Sequence, residues 1–143
     1  MTSTTTNSIR LLLIDDEPDL LLTVGGYLRE LGYQLETAGD GAKGLEIVRN
    51  GHIDIVITDL EMPRTDGLEV LRGVQEVAPG TEVIMITGHG DMEAAAQAIR
   101  LGAHDFFTKP VALEELTASL ERTSRFHALR EEKAPVQVTA RPP

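Results

Sequence analysis

The stretch Ile53–Thr58 reads IDIVIT and is followed at once by Asp59. A short run of this kind, rich in Ile and Val and bounded by polar residues, is typical of a strand in a parallel sheet that is covered on both faces. A second run, Arg10–Ile14, has the same character and is followed by Asp15 and Asp16. The two runs predict neighbouring buried strands, each ending in carboxylates.

Outward from these runs, short apolar segments alternate with longer segments whose apolar residues lie three and four apart. This alternation predicts an α/β protein with a doubly wound, five-stranded parallel sheet and helices on both faces. The candidate strands are Arg10–Ile14, Tyr33–Thr37, Ile53–Thr58, Val83–Thr87 and Asp105–Thr108. The candidate helices are Pro18–Leu31, Ala42–Arg49, Leu68–Val77, Met92–Leu101 and Leu113–Arg130. The second and fifth strands are the most polar, as edge strands would be.

Residues that commonly begin or end helices support these helix bounds. Pro18 suits a first helical turn, and Asp91 can cap the fourth helix. Gly32, Gly51 and Gly102 stand where a left-handed residue would end a helix.

Length and composition indicate one folded domain. The chain has 143 residues, 41% apolar and 25% charged, the balance of a globular protein. We expect a disordered N-terminal tail over residues 1–7, the folded domain over 8–130, and a C-terminal tail or the start of a linker over 131–143.

Hydropathy, cysteine content and net charge exclude several classes of function. No apolar stretch approaches the roughly 20 residues that cross a bilayer, and the N-terminus has no hydrophobic segment, so we expect a cytoplasmic location and no membrane contact. There is no cysteine, which excludes disulfides and thiolate sites. A net charge of −10 argues against direct binding of nucleic acid by this segment.

In such sheets ligand chemistry collects at the carboxyl ends of the strands, where the strand order reverses. The residues at those ends are Asp15, Asp16, Asp59, Thr87 and Lys109. Three carboxylates at one edge repel each other unless a cation lies among them. Magnesium prefers oxygen ligands and fits this set. The sequence therefore predicts a Mg²⁺ site.

The expected ligands are Asp16 and Asp59 directly, Asp15 through water, and the backbone carbonyl near Glu61. A carboxylate can also act as a nucleophile and form an aspartyl phosphate, whose developing charge needs cations and donors placed in advance. Lys109 and the Thr87 hydroxyl meet that need. The Lys109–Pro110 bond can be cis or trans, and the sequence leaves this open.

Four stretches, LLLIDDEPD, IVITDLEMPRTDGLEVL, VIMITGHGD and DFFTKP, resemble the signature segments of bacterial response-regulator receiver domains, in order and at that family's spacing. The resemblance covers about residues 8–128. It implies the flavodoxin-like (βα)5 fold with strand order 2-1-3-4-5. It also implies that Asp15 and Asp16 bind magnesium, that Asp59 accepts a phosphoryl group from a histidine kinase, and that Thr87 and Lys109 contact this group.

The same resemblance implies a two-state switch in a two-component system. Thr87 moves toward the phosphate, Phe106 turns inward, and the surface of the fourth helix, fifth strand and fifth helix changes to form a homodimer or bind an effector. Glu61 and His89 hold positions that influence the lifetime of the phosphoryl group. The phrases ITGHGD and AHDFFTKP look most like receivers of sigma-54-dependent activators.

Other interpretations stay open from the residues themselves. An enzyme, a phosphatase with an aspartyl-phosphate intermediate, would use Glu61 as its second acid. A scaffold would bind partners without phosphorylation, although a complete acid set argues against it. Asp15 and Asp16 could serve only as a helix cap, and Asp59 only as a turn former. We expect Phe106 and Phe107 to face opposite sides of the sheet, and the four histidines to lie at the surface.

Overall fold

The computed structural model describes residues 9–88 and 92–140, with side chains up to residue 129. Strands and helices alternate along the whole of this part of the chain. The strands are β1 (Arg10–Ile14), β2 (Gln34–Ala38), β3 (Ile55–Asp59), β4 (Glu82–Thr87) and β5 (Asp105–Thr108). The helices are α1 (Pro18–Glu30), α2 (Gly41–Asn50), α3 (Gly67–Val77), α4 (Met92–Arg100) and α5 (Leu113–Ala140). The predicted βα alternation is confirmed.

The five strands form one parallel sheet of order 2-1-3-4-5, as predicted. β1 pairs with β2 on one side and β3 on the other, so the strand order reverses at β1. Every residue of β3 and β4 is buried, whereas β2 and β5 are partly exposed. The predicted edge strands are therefore the observed ones.

Alternate residues of each central strand enter two separate cores. Leu11 and Leu13 of β1 pack with residues of α1 and α5, including Leu28 and Leu116. Leu12 and Ile14 pack on the other face, against α2, α3 and α4. Because both faces of the sheet are covered, the strands need apolar residues at successive positions, and this is the continuous pattern that the sequence shows.

The predicted helix ends are correct at some positions and wrong at one. Pro18 lies in the first turn of α1, and Gly32 and Gly102 have φ values of 101° and 116°. Gly51 does not adopt a left-handed conformation, because its φ is −118° and the chain leaves α2 directly in an extended conformation. Asp91, the predicted cap of α4, lies outside the described residues.

Element bounds shift by one or two residues at most, except at the end of α5. β3 starts at Ile55 instead of Ile53, and Asp54 just before it accepts a hydrogen bond from the Arg10 N–H through its side chain, at 2.9 Å. α5 runs to Ala140, beyond the predicted end at Arg130. The domain boundaries at residues 8 and 130 stay predictions, and the N-terminal tail lies outside the described residues.

No helix in the described part of the chain combines the length and the apolar character needed to cross a membrane.

Candidate functional site

The site lies at the carboxyl edge of the sheet, where β1, β3 and β4 end and the connection from β5 to α5 begins. Asp15 follows the last residue of β1, Asp59 is the last residue of β3, and Thr87 is the last residue of β4. These strands are parallel neighbours, so their ends meet at one edge. Lys109 follows β5 and completes the set.

Asp59 is fixed by the turn that leads from β3 to α3. Its side chain is almost fully buried, and its Oδ1 accepts a hydrogen bond from the Glu61 N–H at 3.2 Å. The Gly67 N–H donates to the Leu60 carbonyl at 2.8 Å, which brings the start of α3 against the end of β3. A Cβ on Gly67 would lie 2.6 Å from the Asp59 carbonyl oxygen, so this close approach requires glycine.

Asp15 is fully buried, whereas Asp16 is exposed to solvent. The Asp15 N–H donates to the Ala38 carbonyl at 3.1 Å, and its Oδ1 accepts from the Glu17 N–H at 2.8 Å. Three carboxylate oxygens, one each from Asp15, Asp16 and Asp59, lie within 4.8 Å of one another.

Lys109 places a positive charge among these acids. Its N–H donates to the Thr87 carbonyl at 2.8 Å, which ties the lysine to the end of β4, and its bond to Pro110 is cis. Its Nζ lies 3.0 Å from Asp15 Oδ2 and 3.2 Å from Asp59 Oδ2. A third carboxylate, Glu17, has its Oε1 3.0 Å from the same Nζ.

The ionisation of these groups is perturbed in opposite directions. Burial raises the pKa of Asp15, and burial together with the charge of Asp15 raises the pKa of Asp59. Burial alone would lower the pKa of Lys109, but its contacts with Glu17, Asp15 and Asp59 outweigh burial and raise this pKa above its ordinary value. The site therefore holds carboxylates whose charge is costly and a lysine that stays protonated.

The donor set fits a hard divalent cation. Two buried carboxylates with raised pKa values and one exposed carboxylate converge on one place, and a cation there would favour their charged forms. Mg²⁺ is bound by one or two carboxylates with waters and a phosphate oxygen, so the exposure of Asp16 is compatible with a hydrated ion. The arrangement can hold Mg²⁺ and present Asp59 as a nucleophile beside it.

Comparison with known proteins identifies the family. Residues 11–121 match the model of the response regulator receiver domain, and this match covers most of the chain. The chain belongs to the receiver domain family.

Individual relatives agree with this. The receiver domain is 40% identical over 111 residues to the transcriptional regulatory protein GlrR of Escherichia coli K12, covering 78% of this chain and 25% of GlrR. A receiver domain structure from Clostridium thermocellum shares 33% identity with a TM-score of 0.80, covering 85% of this chain and 98% of that one.

The solution structure of the beryllofluoride-activated NtrC4 receiver domain dimer shares 29% identity with this chain at a TM-score of 0.78. The match covers 82% of this chain and 98% of that one. The chain spans about a quarter to a half of the length of the curated relatives that it matches, from 25% of GlrR to 55% of the response regulator MprA of Mycobacterium ulcerans.

The two residues predicted to switch, Thr87 and Phe106, lie on β4 and β5. Thr87 is almost fully buried, and Phe106 is partly buried opposite Met85 of β4. Phe106 packs against the core under α2, α3 and α4, and Phe107 packs against the core under α1 and α5. The predicted opposition of the two rings is confirmed.

One prediction about the histidines was wrong. His52 is exposed, but His127 of α5 is buried, with its Nε2 2.8 Å from Asp54 Oδ1. Asp54 is itself buried, and despite its burial the hydrogen bonds from His127 and the Arg10 N–H lower its pKa. His89 lies outside the described residues.

Sequence reasoning also missed the contact between Glu17 and Lys109. The signal available was the run of three carboxylates at positions 15–17, but its third member had no assigned partner.

Proposed function

We propose that this receiver domain is a phosphorylation switch that accepts a phosphoryl group on Asp59 from a histidine kinase. The observation that carries the proposal is the convergence on one point of a buried Asp59, two further aspartates and the Lys109 ammonium, 3.2 Å from Asp59 Oδ2. In the transfer step an Asp59 oxygen forms a bond to phosphorus while the bond from phosphorus to the donor breaks. The leaving group departs with that electron pair.

Asp15, Asp16 and Asp59, with the backbone carbonyl of Glu61, would hold Mg²⁺, which supplies positive charge to the phosphoryl oxygens. Lys109 supports the same oxygens through its ammonium. Such charges accelerate phosphoryl transfer when they are held in place beforehand. The hydrogen bonds that fix Asp15, Asp59 and Lys109 to the backbone provide this preorganisation.

Thr87 and Phe106 would couple phosphorylation of Asp59 to a change at the surface of the domain. The Thr87 hydroxyl moves to the phosphoryl group, Phe106 takes the space it leaves, and the surface formed by α4, β5 and α5 changes. This surface would form a homodimer or bind an effector domain or protein. The dimer of the related NtrC4 receiver domain supports this proposal.

The cellular setting follows from the same proposal. The histidine kinase and the switch would meet in the cytoplasm. With a net charge of −10, this segment would not bind nucleic acid directly, and with no apolar stretch of about 20 residues it would not enter a membrane. Glu61 and His89 would tune how long the phosphoryl group survives.

The switch assists its own phosphorylation and dephosphorylation and turns over no free substrate. Steady hydrolysis of a free phosphomonoester would contradict this and favour a phosphatase with Glu61 as its second acid.

The deciding experiment incubates the protein with Mg²⁺ and a small acyl phosphate and counts the phosphoryl groups by intact-protein mass spectrometry. We expect one group on the wild type and none on Asp59→Asn. Asp40→Asn is the matched control, because Asp40 is a partly exposed helix cap that asparagine replaces equally well. Labelling that persists in Asp59→Asn would refute Asp59 as the acceptor.

A further inference from the structure

Glu17 lies at the edge of the site, and its side chain makes no capping hydrogen bond to its own helix. It occupies the N-cap position of α1, where a side chain would ordinarily accept a hydrogen bond from the first turn. Glu17 makes no such bond. Its backbone N–H instead donates to Asp15 Oδ1 at 2.8 Å, which fixes the turn between β1 and α1.

The Glu17 carboxylate reaches across the site to the residue that follows β5. Its Oε1 accepts a hydrogen bond from Lys109 Nζ at 3.0 Å, although the two residues are 92 positions apart in the chain. The lysine side chain is 17% exposed and the glutamate side chain 61% exposed. The contact therefore lies at the mouth of the site, where a phosphoryl donor must enter.

A lysine ammonium has three N–H donors. In this structure three carboxylate oxygens, from Asp15, Asp59 and Glu17, lie within 3.2 Å of Nζ. A phosphoryl oxygen that arrives at Asp59 needs one of these donors. The contacts to Asp15 and Asp59 lie deep in the site, so the exposed contact to Glu17 is the one that can be exchanged.

From this geometry we infer that Glu17 is a positioning residue that holds Lys109 toward the mouth of the site and competes with the phosphoryl group for its ammonium. The inference rests on the proposed function and adds to it a restraint on the transfer step. As the Asp59 oxygen bonds to phosphorus and the leaving group departs, Lys109 exchanges Glu17 for a phosphoryl oxygen. Glu17 thus opposes phosphorylation until this exchange occurs.

The exposure of the Glu17 side chain sets the size of the effect. Solvent-exposed ion pairs contribute up to about 1 kcal/mol, so releasing Lys109 should accelerate the transfer step by about two- to fivefold. An effect of this size is measurable but smaller than the loss expected from removing Lys109 itself.

The experiment measures the initial phosphorylation rate with Mg²⁺ and a small acyl phosphate over a range of donor concentrations. This separates the maximal rate of transfer from the donor concentration at half-maximal rate. We compare the wild type with Glu17→Gln, which keeps the shape and removes the charge, and with Glu17→Asp, which keeps the charge but is one methylene shorter. Asp19→Asn, an exposed acid of the same first turn, is the matched control.

We expect both Glu17 variants to raise the maximal rate by about two- to fivefold, because Glu17→Gln removes the charge from the contact with Lys109 and Glu17→Asp is one methylene too short to make it. Asp19→Asn should leave the maximal rate unchanged. If Glu17→Gln alone accelerates and Glu17→Asp behaves like the wild type, the charge at the mouth acts without the contact, and the inference is overturned. It is also overturned if both variants match the wild type or are slower.

Failure of the inference and failure of the proposed function give different results. If the wild type takes up no phosphoryl group, both are refuted together. If the wild type is phosphorylated on Asp59 and the Glu17 variants show no gain, only the role of Glu17 is refuted. Thermal unfolding of each variant identifies any rate change that follows from a loss of folded protein.

Discussion

Replacing His127 by alanine should destabilise the protein by about 3 kcal/mol, because the change removes one partner of a buried pair. The Nε2 of His127 lies 2.8 Å from Asp54 Oδ1, and the two side chains are 8% and 10% exposed. Asp54 would keep the hydrogen bond from the Arg10 N–H, and for this reason we expect the lower end of the range for broken buried pairs.

The effect should depend on pH in a defined direction. The folded protein holds the pKa of Asp54 below its ordinary value of 3.8. The stabilisation is therefore complete above about pH 4 and is lost as the pH falls through the lowered pKa of Asp54. The difference in unfolding free energy between wild type and His127→Ala should be full at about pH 5, between the ordinary pKa values of aspartate and histidine, and should narrow below about pH 4.

Urea unfolding at a series of pH values measures this difference. His52→Ala is the matched control, since His52 Nε2 lies 3.9 Å from the same Asp54 oxygen but its side chain is 84% exposed. We expect this control to change stability by less than about 0.5 kcal/mol. A loss below about 1 kcal/mol in His127→Ala, or a difference that does not narrow in acid, would show that the contact between His127 and Asp54 is not a stabilising ion pair.

Three further predictions concern the phosphoacceptor end of the sheet. Asp16→Asn should weaken Mg²⁺ binding by about tenfold or more in calorimetric titration, while Asp40→Asn binds as the wild type does; equal affinities would remove Asp16 from the ligand set. Gly67→Ala should cost about 1–3 kcal/mol in urea unfolding, because its Cβ would lie 2.6 Å from the Asp59 carbonyl oxygen; unchanged stability would show that the turn can relax. Asp59→Asn should stabilise the metal-free protein at neutral pH, because burial and the charge of Asp15 raise the pKa of Asp59, and the gain should vanish as the pH falls below the ordinary value of 3.8. An Asp59→Asn variant that is less stable than the wild type at pH 7 would contradict the predicted gain in stability.

The fold could be predicted because its main determinants are local. The runs that became β1 and β3 are apolar at successive positions, which only a sheet covered on both faces requires. The acids at their ends then fall at one edge by topology alone. Gly51 shows the limit of local reasoning, because a glycine after a helix permits a left-handed turn without requiring one.

Contacts between distant segments could not be predicted in the same way. The buried stripe of α5 runs through Leu116, Leu120 and Thr123, and the helical period places His127 next on it. That spacing could have shown that His127 is buried, but its partner Asp54 lies 73 residues away. The same holds for Glu17 and Lys109, whose pairing depends on how two loops meet in space.

The burial of β3 and the exposure of β5 have a consequence for how amide protons exchange with solvent. β3 lies between two hydrogen-bonded neighbours, whereas β5 has one neighbour and an open edge. Amides of β3 should therefore exchange only when much of the domain opens, and those of β5 through local fluctuations. Asp59 would then be held by the least compliant strand of the sheet, while Phe106 lies on one that can shift without breaking the centre.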